Sequence, residues 1–168
     1  MNQNDEWYTP DYWLELAREV LGTIELDPAS CSIANQRVKA DVYFTDKDDG
    51  LSKEWKGKVW CNPPYSAVLV KKFTKKFFEE YTKGNIEEGI MLTNSGTDTL
   101  WNQNICKGIQ VYTIGRISFL QPDGTEKATG SRGQCFTYVG KNPRKFIEVF
   151  TRDNKCWCPN IGLIDNVY

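Results

Sequence analysis

The chain contains no histidine. That absence removes the imidazole base of Ser–His and Cys–His mechanisms and the commonest ligand of hydrolytic zinc. The six cysteines, at 31, 61, 106, 135, 156 and 158, include no Cys-x-x-Cys pair. Cys156-Trp157-Cys158 is spaced poorly for structural zinc, so reduced thiols are expected and no metal site. There is no excess of positive charge. The 21 Lys and Arg against 22 Asp and Glu leave a net charge of −1, which speaks against tight nonspecific binding to nucleic acid and turns attention to local clusters. No apolar run reaches membrane length and no basic-plus-apolar leader opens the sequence, so no membrane partner and a cytoplasmic location are expected. Repeats and interdomain linkers are lacking too.

What remains is ordinary globular material: 168 residues, 40% hydrophobic and 26% charged, enough for one domain with a core. Aromatics are high at 13%, with six Trp, consistent with base-stacking surfaces and equally with core packing. Periodicity gives alternating helices and strands. Helices are predicted from Pro10 to Leu21, over 31–39, from Ala67 to Tyr81 and near 99–107. Gly22 lies just past the first of them. Strands are predicted at 23–26, 41–44, 57–61, 89–93, Gln110–Ile114, Ile117–Leu120 and Cys135–Val139, with a turn or bulge at Gly115-Arg116. Pro143–Phe150 reads as a short helix or strand. The expected fold is α/β, with a mostly parallel sheet and an antiparallel hairpin over 110–139. Residues 121–134 hold no large apolar side chain and read as a mobile loop.

One tetrapeptide carries chemistry. Residues 62–65 are Asn-Pro-Pro-Tyr, directly after the apolar run Val59-Trp60-Cys61. An exocyclic amino nitrogen such as that of adenine has its lone pair delocalised and is a poor nucleophile. A site that helps it accepts its two N–H hydrogens and aims the lone pair at an electrophilic methyl. The Asn62 side-chain oxygen is one acceptor. The Pro63 carbonyl is the second, because the Pro63-Pro64 step fixes backbone direction. Tyr65 offers a flat face for a base. Cys61 precedes the asparagine, the reverse of the Pro-Cys order wanted for thiol attack on cytosine, and reads as a buried strand end. Upstream, Ile24-Glu25-Leu26 runs into Asp27-Pro28-Ala29-Ser30, a strand ending in an acidic turn. Ligands of open α/β sheets bind at such strand ends. Asp27 there can reach a ligand's amino group or ribose, or simply start the turn; paired with Asn62–Tyr65 downstream, the ligand reading is the stronger.

These residues together resemble a phage- or prophage-type DNA N6-adenine methyltransferase that uses S-adenosylmethionine, over roughly residues 6–140. Glu6-Trp7-Tyr8-Thr9-Pro10 is similar to the family's Thr-Pro element over the cofactor's methionine end. Leu26-Asp27-Pro28-Ala29-Ser30 resembles the first cofactor loop, and Asn62–Tyr65 the catalytic loop. Asp48-Asp49-Gly50-Leu51, with Trp55 and Gly57, is like the linker into the catalytic strand, where an acidic residue contacts the cofactor's adenine. The resemblance implies a Rossmann-like methyltransferase fold in a single domain over 1–168. It assigns Asn62, Pro63, Pro64 and Tyr65 to catalysis, and Trp7, Thr9, Pro10, Asp27, Pro28, Ala29 and Asp49 to the cofactor. Two departures stand out. Ser30 and Cys31 occupy positions where glycine is common. No clear ribose carboxylate follows Ala40–Phe44; Asp46 and Asp48 are near.

The same resemblance implies double-stranded DNA as partner, a flipped adenine, the cytoplasm of a bacterial host, a role in restriction–modification, in its evasion or in regulating replication, and a monomer or weak dimer. Little chain is left for a recognition domain. Small target-reading loops are expected near 94–108 and 121–134, with Ser66, Thr97, Arg116 and Arg132 as DNA contacts and either GATC or a relaxed target. Lys71, Lys72, Lys75 and Lys76 can attract phosphates or form a solvated helix face, the latter favoured by Glu79 and Glu80 beside them. Two other readings stay open: N-methylation of RNA or of protein glutamine, and a catalytically silent DNA-binding protein of the same fold, which the glycine-poor loop would suit.

Overall fold

Apolar residues alternate along the central strands so that both faces of one sheet are covered. In a computed structural model describing residues 8–121, 123–126 and 132–159, Trp60 packs into one core cluster, with Ile90, Leu92 and Phe136. Its neighbours Val59 and Cys61 pack into the other, with Met91, Phe73 and Phe77. A strand with period-two side chains buried on both faces needs a helical layer on each side, and the helices supply them.

Along the chain the elements are α1 (Asp11–Leu21), β1 (Leu26–Asp27), α2 (Ser32–Val38), β2 (Val42–Tyr43), β3 (Gly57–Cys61), α3 (Ala67–Thr82), β4 (Ile86–Asn94), α4 (Asn102–Ile105), β5 (Ile109–Thr113), β6 (Gln134–Val139), α5 (Pro143–Thr151) and β7 (Cys156–Trp157). Helix α1 buries Trp13, Leu14, Leu16, Ala17, Val20 and Leu21, and α5 buries Phe146, Ile147, Val149 and Phe150, both into the first cluster. Helix α3 buries Phe73, Phe77 and Phe78 into the second. Phe136 is central, with ring centroids 5.1 Å from Trp13 and 4.8 Å from Phe150. Truncating such a ring to Ala costs about 3–5 kcal/mol.

The seven strands of the described residues run in the order β2-β1-β3-β4-β6-β5-β7. The first four are parallel neighbours, and β6 enters antiparallel between β4 and β5. A mixed sheet that is parallel in its first part is consistent with a methyltransferase-like fold. The antiparallel β5–β6 pair is the expected hairpin, and the terminal segment 143–151 is a helix.

Three expectations need correction, and one strand was not foreseen. Ile117–Leu120 is not a strand. Gly115 takes φ +85° and turns the chain off the sheet, and the next edge position beside β5 is filled by β7, with the Ile114 N–H donating to the Lys155 carbonyl at 2.7 Å. Leu120 instead pairs with Tyr8, its N–H donating to the Tyr8 carbonyl at 2.9 Å and its carbonyl accepting the Tyr8 N–H at 3.0 Å. Strand β1 is shorter than 23–26 and shifted to Leu26–Asp27. The helix expected over 99–107 narrows to 102–105. Strand β7 was not anticipated. In the 121–134 loop, the Gln121 N–H donates to the Thr125 carbonyl at 2.9 Å and the Thr125 backbone N–H and hydroxyl donate to Asp123; 122 and 127–131 lie outside the described residues.

Candidate active site

Parallel neighbours end on the same side of a sheet. Strands β1 and β3 pair in parallel, Leu26 opposite Val59, so the turn after β1 and the loop after β3 emerge at one edge. Strand β4, parallel to β3, ends there too at Asn94. Between the first two loops lies a cavity of about 580 Å³. Asp27, Pro28 and Ala29 line one side of it and Asn62, Pro63, Pro64 and Tyr65 another, with Tyr8 and Thr9 contributing as well. The volume lies in the range of sites for drug-sized ligands.

Asp27 is the buried charge of this cavity, only 2% exposed. Burial pushes its carboxyl up to about 7, against a partial offset from the Ala29 N–H, which donates to it at 3.1 Å. The turn after it needs no glycine. Among the described residues, positive φ outside glycine occurs at Lys39, Asp49 and Asn154, not within 28–31. Cys31 is extended and caps α2, its sulfur accepting the Ala34 N–H at 3.4 Å. The glycine this site requires comes later in the chain. A Cβ on Gly50 would overlap the Pro28 carbonyl, so only glycine lets 48–51 close against the Asp27 turn. Trp55, wholly buried, anchors that closure by donating Nε1–H to the Gly50 carbonyl at 2.8 Å. Asp49 lines the cavity, and so does Asp46. Asp48 does not: it accepts from the Thr45 N–H and hydroxyl at 2.9 and 2.6 Å, which hold its carboxyl below the usual range.

Opposite Asp27, the Asn62 amide is engaged at both ends. Its Nδ2 donates to Thr9 Oγ1 at 3.3 Å, and its Oδ1 accepts from Tyr65 Oη at 2.9 Å. Burial pushes the Tyr65 phenol well up, which keeps it protonated and a donor. Tyr65 meets Phe119 edge to face, with centroids 6.4 Å apart. Cys61 is fully buried, and burial, with the Asp27 charge second, pushes its thiol well up. A thiol so held is no nucleophile. Ser66 is exposed at the rim of the cavity, and its hydroxyl caps α3 by accepting the Leu69 N–H at 3.3 Å. Trp60 also lines the cavity, and its buried Nε1–H has no acceptor among the described residues.

The remaining expected site residues divide. Pro10 does not line the cavity; it stands at the N-cap of α1 with φ −59°. Trp7 lies outside the described residues. Thr97, Arg116 and Arg132 are exposed and away from the cavity. The two loops expected to read DNA do meet, the Ser95 N–H donating to the Gly133 carbonyl at 2.8 Å. The lysines of α3 are partly engaged: Lys76 donates to the Leu51 carbonyl at 3.0 Å and sits 5.6 Å above the Trp55 ring, and Lys75 pairs with Glu79 at 3.5 Å. Sequence reasoning missed Trp60, Phe119 and Gly50 as parts of the site. The signal for Gly50 was present, a glycine two residues beyond Asp48 and five before Trp55; for Phe119 the stretch Gly115–Phe119 resembles the family without indicating a role, since its place depends on the Tyr8–Leu120 pairing.

No helix among the described residues is long and apolar enough to cross a membrane. Among curated proteins, none matches the chain. The family model for DNA N-6-adenine-methyltransferase (Dam) matches residues 1–158, nearly the whole length, and the chain belongs to that family.

Proposed function

We propose that the chain transfers a methyl group from S-adenosylmethionine to the N6 amino group of adenine in DNA, on a base flipped into the loop Asn62-Pro63-Pro64-Tyr65. The observation that carries this reading is the shared cavity: the Asp27 turn and the Asn62 loop line one space at the ends of adjacent parallel strands. Family membership implies DNA as substrate and S-adenosylmethionine as donor.

The cavity's donor set suits that cofactor. Asp27, buried and without a cationic partner among the described residues, is matched to an amino group. Asp46 and Asp49 are placed for hydroxyl or amino groups, and Asp46 is the better ribose ligand because Asp48 is turned into its own loop. The Trp60 Nε1–H is a buried donor in need of an acceptor. When bound, the cofactor supplies an electrophilic methyl. The chain's part is to hold the target: Asn62 Oδ1 and the Pro63 carbonyl accept the amino hydrogens, and the Tyr65 ring carries the base. Positioning and electrostatics then provide most of the acceleration. Arg116, Arg132 and Thr97 are proposed to contact DNA outside the cavity.

The silent-fold reading drew its support from the glycine-poor cofactor loop. That support weakens once the loop is seen to contain no positive φ and to take its close approach from Gly50. RNA and protein-glutamine methylation remain outcomes of the test. Purified protein is incubated with tritiated S-adenosylmethionine and unmethylated DNA, and the DNA is digested to nucleosides. Label in N6-methyladenine is the expected result. Cofactor binding without label in DNA would move the substrate to RNA or protein, and loss of both would make the silent fold the better account.

A further inference from the structure

The geometry points to Gln134 as a positioning residue for DNA binding: its side-chain amide holds the Arg116 turn and the Arg132 loop together, so that both arginines meet one stretch of phosphates. This inference rests on the reading above that the two arginines contact DNA, and it adds what makes them act as a pair. They lie far apart along the chain, and neither side chain joins the other.

The joint is one buried group. Gln134 opens β6 and is only 2% exposed. Its Oε1 accepts the Ile117 N–H at 2.9 Å, and its Nε2 donates to the Arg132 carbonyl at 2.6 Å. Both partners are backbone groups with a single role, one a donor only and the other an acceptor only. The amide therefore has one allowed orientation; reversed, it would set N–H against N–H and oxygen against oxygen. A buried amide satisfied at both ends is costly to displace. The surroundings brace it. The Gln134 N–H donates to Thr113 Oγ1 at 3.2 Å, and that hydroxyl donates to the Gly115 carbonyl at 2.9 Å. Gln134 also pairs with Asn94, the last residue of β4, which places the joint at the sheet edge where the catalytic loop emerges. Arg116 and Arg132 themselves are exposed, and neither forms an ion pair with a carboxylate among the described residues. Two such cations, rooted on either side of one amide, suit a polyanion with a phosphate on each strand about every 3.4 Å of its axis.

The test measures the Kd and the salt slope of binding to a fluorescein-labelled, unmethylated duplex containing GATC, with the Kd for S-adenosylmethionine alongside. Gln134→Met keeps the length of the side chain and loses both hydrogen bonds. It is expected to raise the DNA Kd by about tenfold, to lower the salt slope by about 1 or more although no charge is removed, and to leave the cofactor Kd within about twofold. Placed on the Arg116→Ala, Arg132→Ala double variant, it is expected to change the DNA Kd by less than about twofold, because the contacts it positions are gone. Should the methionine variant not fold, Gln134→Glu serves. It keeps an acceptor for the Ile117 N–H and loses the donor to the Arg132 carbonyl, so in that background Arg132→Ala is expected to cost less than about twofold while Arg116→Ala keeps its full cost. An unchanged DNA Kd in the methionine variant overturns the inference. So does the same loss with and without the arginines, or a loss with the salt slope unchanged, either of which makes Gln134 a packing residue. So does an Arg132→Ala cost that is undiminished in the glutamate variant. The arginine variants separate the two levels: if Arg116→Ala and Arg132→Ala bind DNA like the parent, the contacts proposed for them fail and this inference with them; if they weaken binding and Gln134→Met does not, only the role of Gln134 fails.

Discussion

The two loops that share the cavity solve opposite problems. The Asn62 loop is internally satisfied: amide, threonine and phenol pair with one another, and the nearby thiol is protonated and inert. The Asp27 turn is not. Its carboxyl is buried, with the Ala29 N–H and the Ser30 side chain as partial offsets and no cation among the described residues, and is pushed up to about 7 as a result. One side therefore rests in a neutral, closed network that a neutral base can enter by exchanging hydrogen bonds. The other keeps an electrostatic deficit that a cationic ligand would relieve. Electrostatic strain is concentrated at the Asp27 turn, hydrogen-bonded order at the Asn62 loop.

The contrast can be broken most severely at Asn62. Asn62→Ala is expected to lower turnover by two to four orders of magnitude, about what loss of one such positioned group costs, with cofactor Kd unchanged by equilibrium dialysis. Comparable turnover would sink the assignment of this loop. Asp27→Ala should act in the opposite sense, raising the cofactor Kd by roughly 10–100-fold, on the order expected for removing one charge-assisted bond; an unchanged Kd rejects the role given to Asp27.

The pH dependence sharpens the same comparison. A cationic amino group beside Asp27 favours its ionised form, so binding expels a proton below about pH 7. Cofactor Kd is expected to rise by roughly tenfold from pH 8 to pH 6, and titration calorimetry in two buffers of different ionisation heat would detect the proton. The unliganded protein should show the complementary effect. Its folded state holds the Asp27 proton more tightly than the unfolded chain, whose carboxyl has the ordinary value of 3.8. Stability from this group is therefore complete at low pH and is lost as pH rises toward the folded value. Asp27→Asn should raise Tm by roughly 5 °C or more at pH 8 and leave it unchanged near pH 4. A variant less stable than the parent at pH 8 would show that the carboxylate is paired after all. The smallest effect is expected outside the cavity: Arg116→Ala or Arg132→Ala should each lower the salt slope of DNA binding by about 1 if that arginine meets a phosphate.

Legibility in the sequence followed the distance over which each feature is determined. Asn62–Tyr65 and the strand before it were readable because four adjacent residues and one apolar run specify them. Helices α1 and α3 and the turn at Gly22 were readable from periodicity and a local stop. Ile117–Leu120 was misread because its apolar residues do belong to the core, Ile117 and Phe119 being buried. What the periodicity could not contain was that β7, from 40 residues later, would take the sheet edge. The glycine-poor loop misled in the same way: the missing glycine sits at position 50, across the fold from the turn it serves.

The Tyr8–Leu120 pairing also orders events in time. Residue 8 is made early and residue 120 late, and the backbone pairing beside Thr9 waits for both. Chains emerge from synthesis amino end first, and contacts between distant residues form slowly because closing the long loop costs entropy. The wall of the cavity that carries Thr9 is thus synthesised early and closed by one of the chain's long-range contacts.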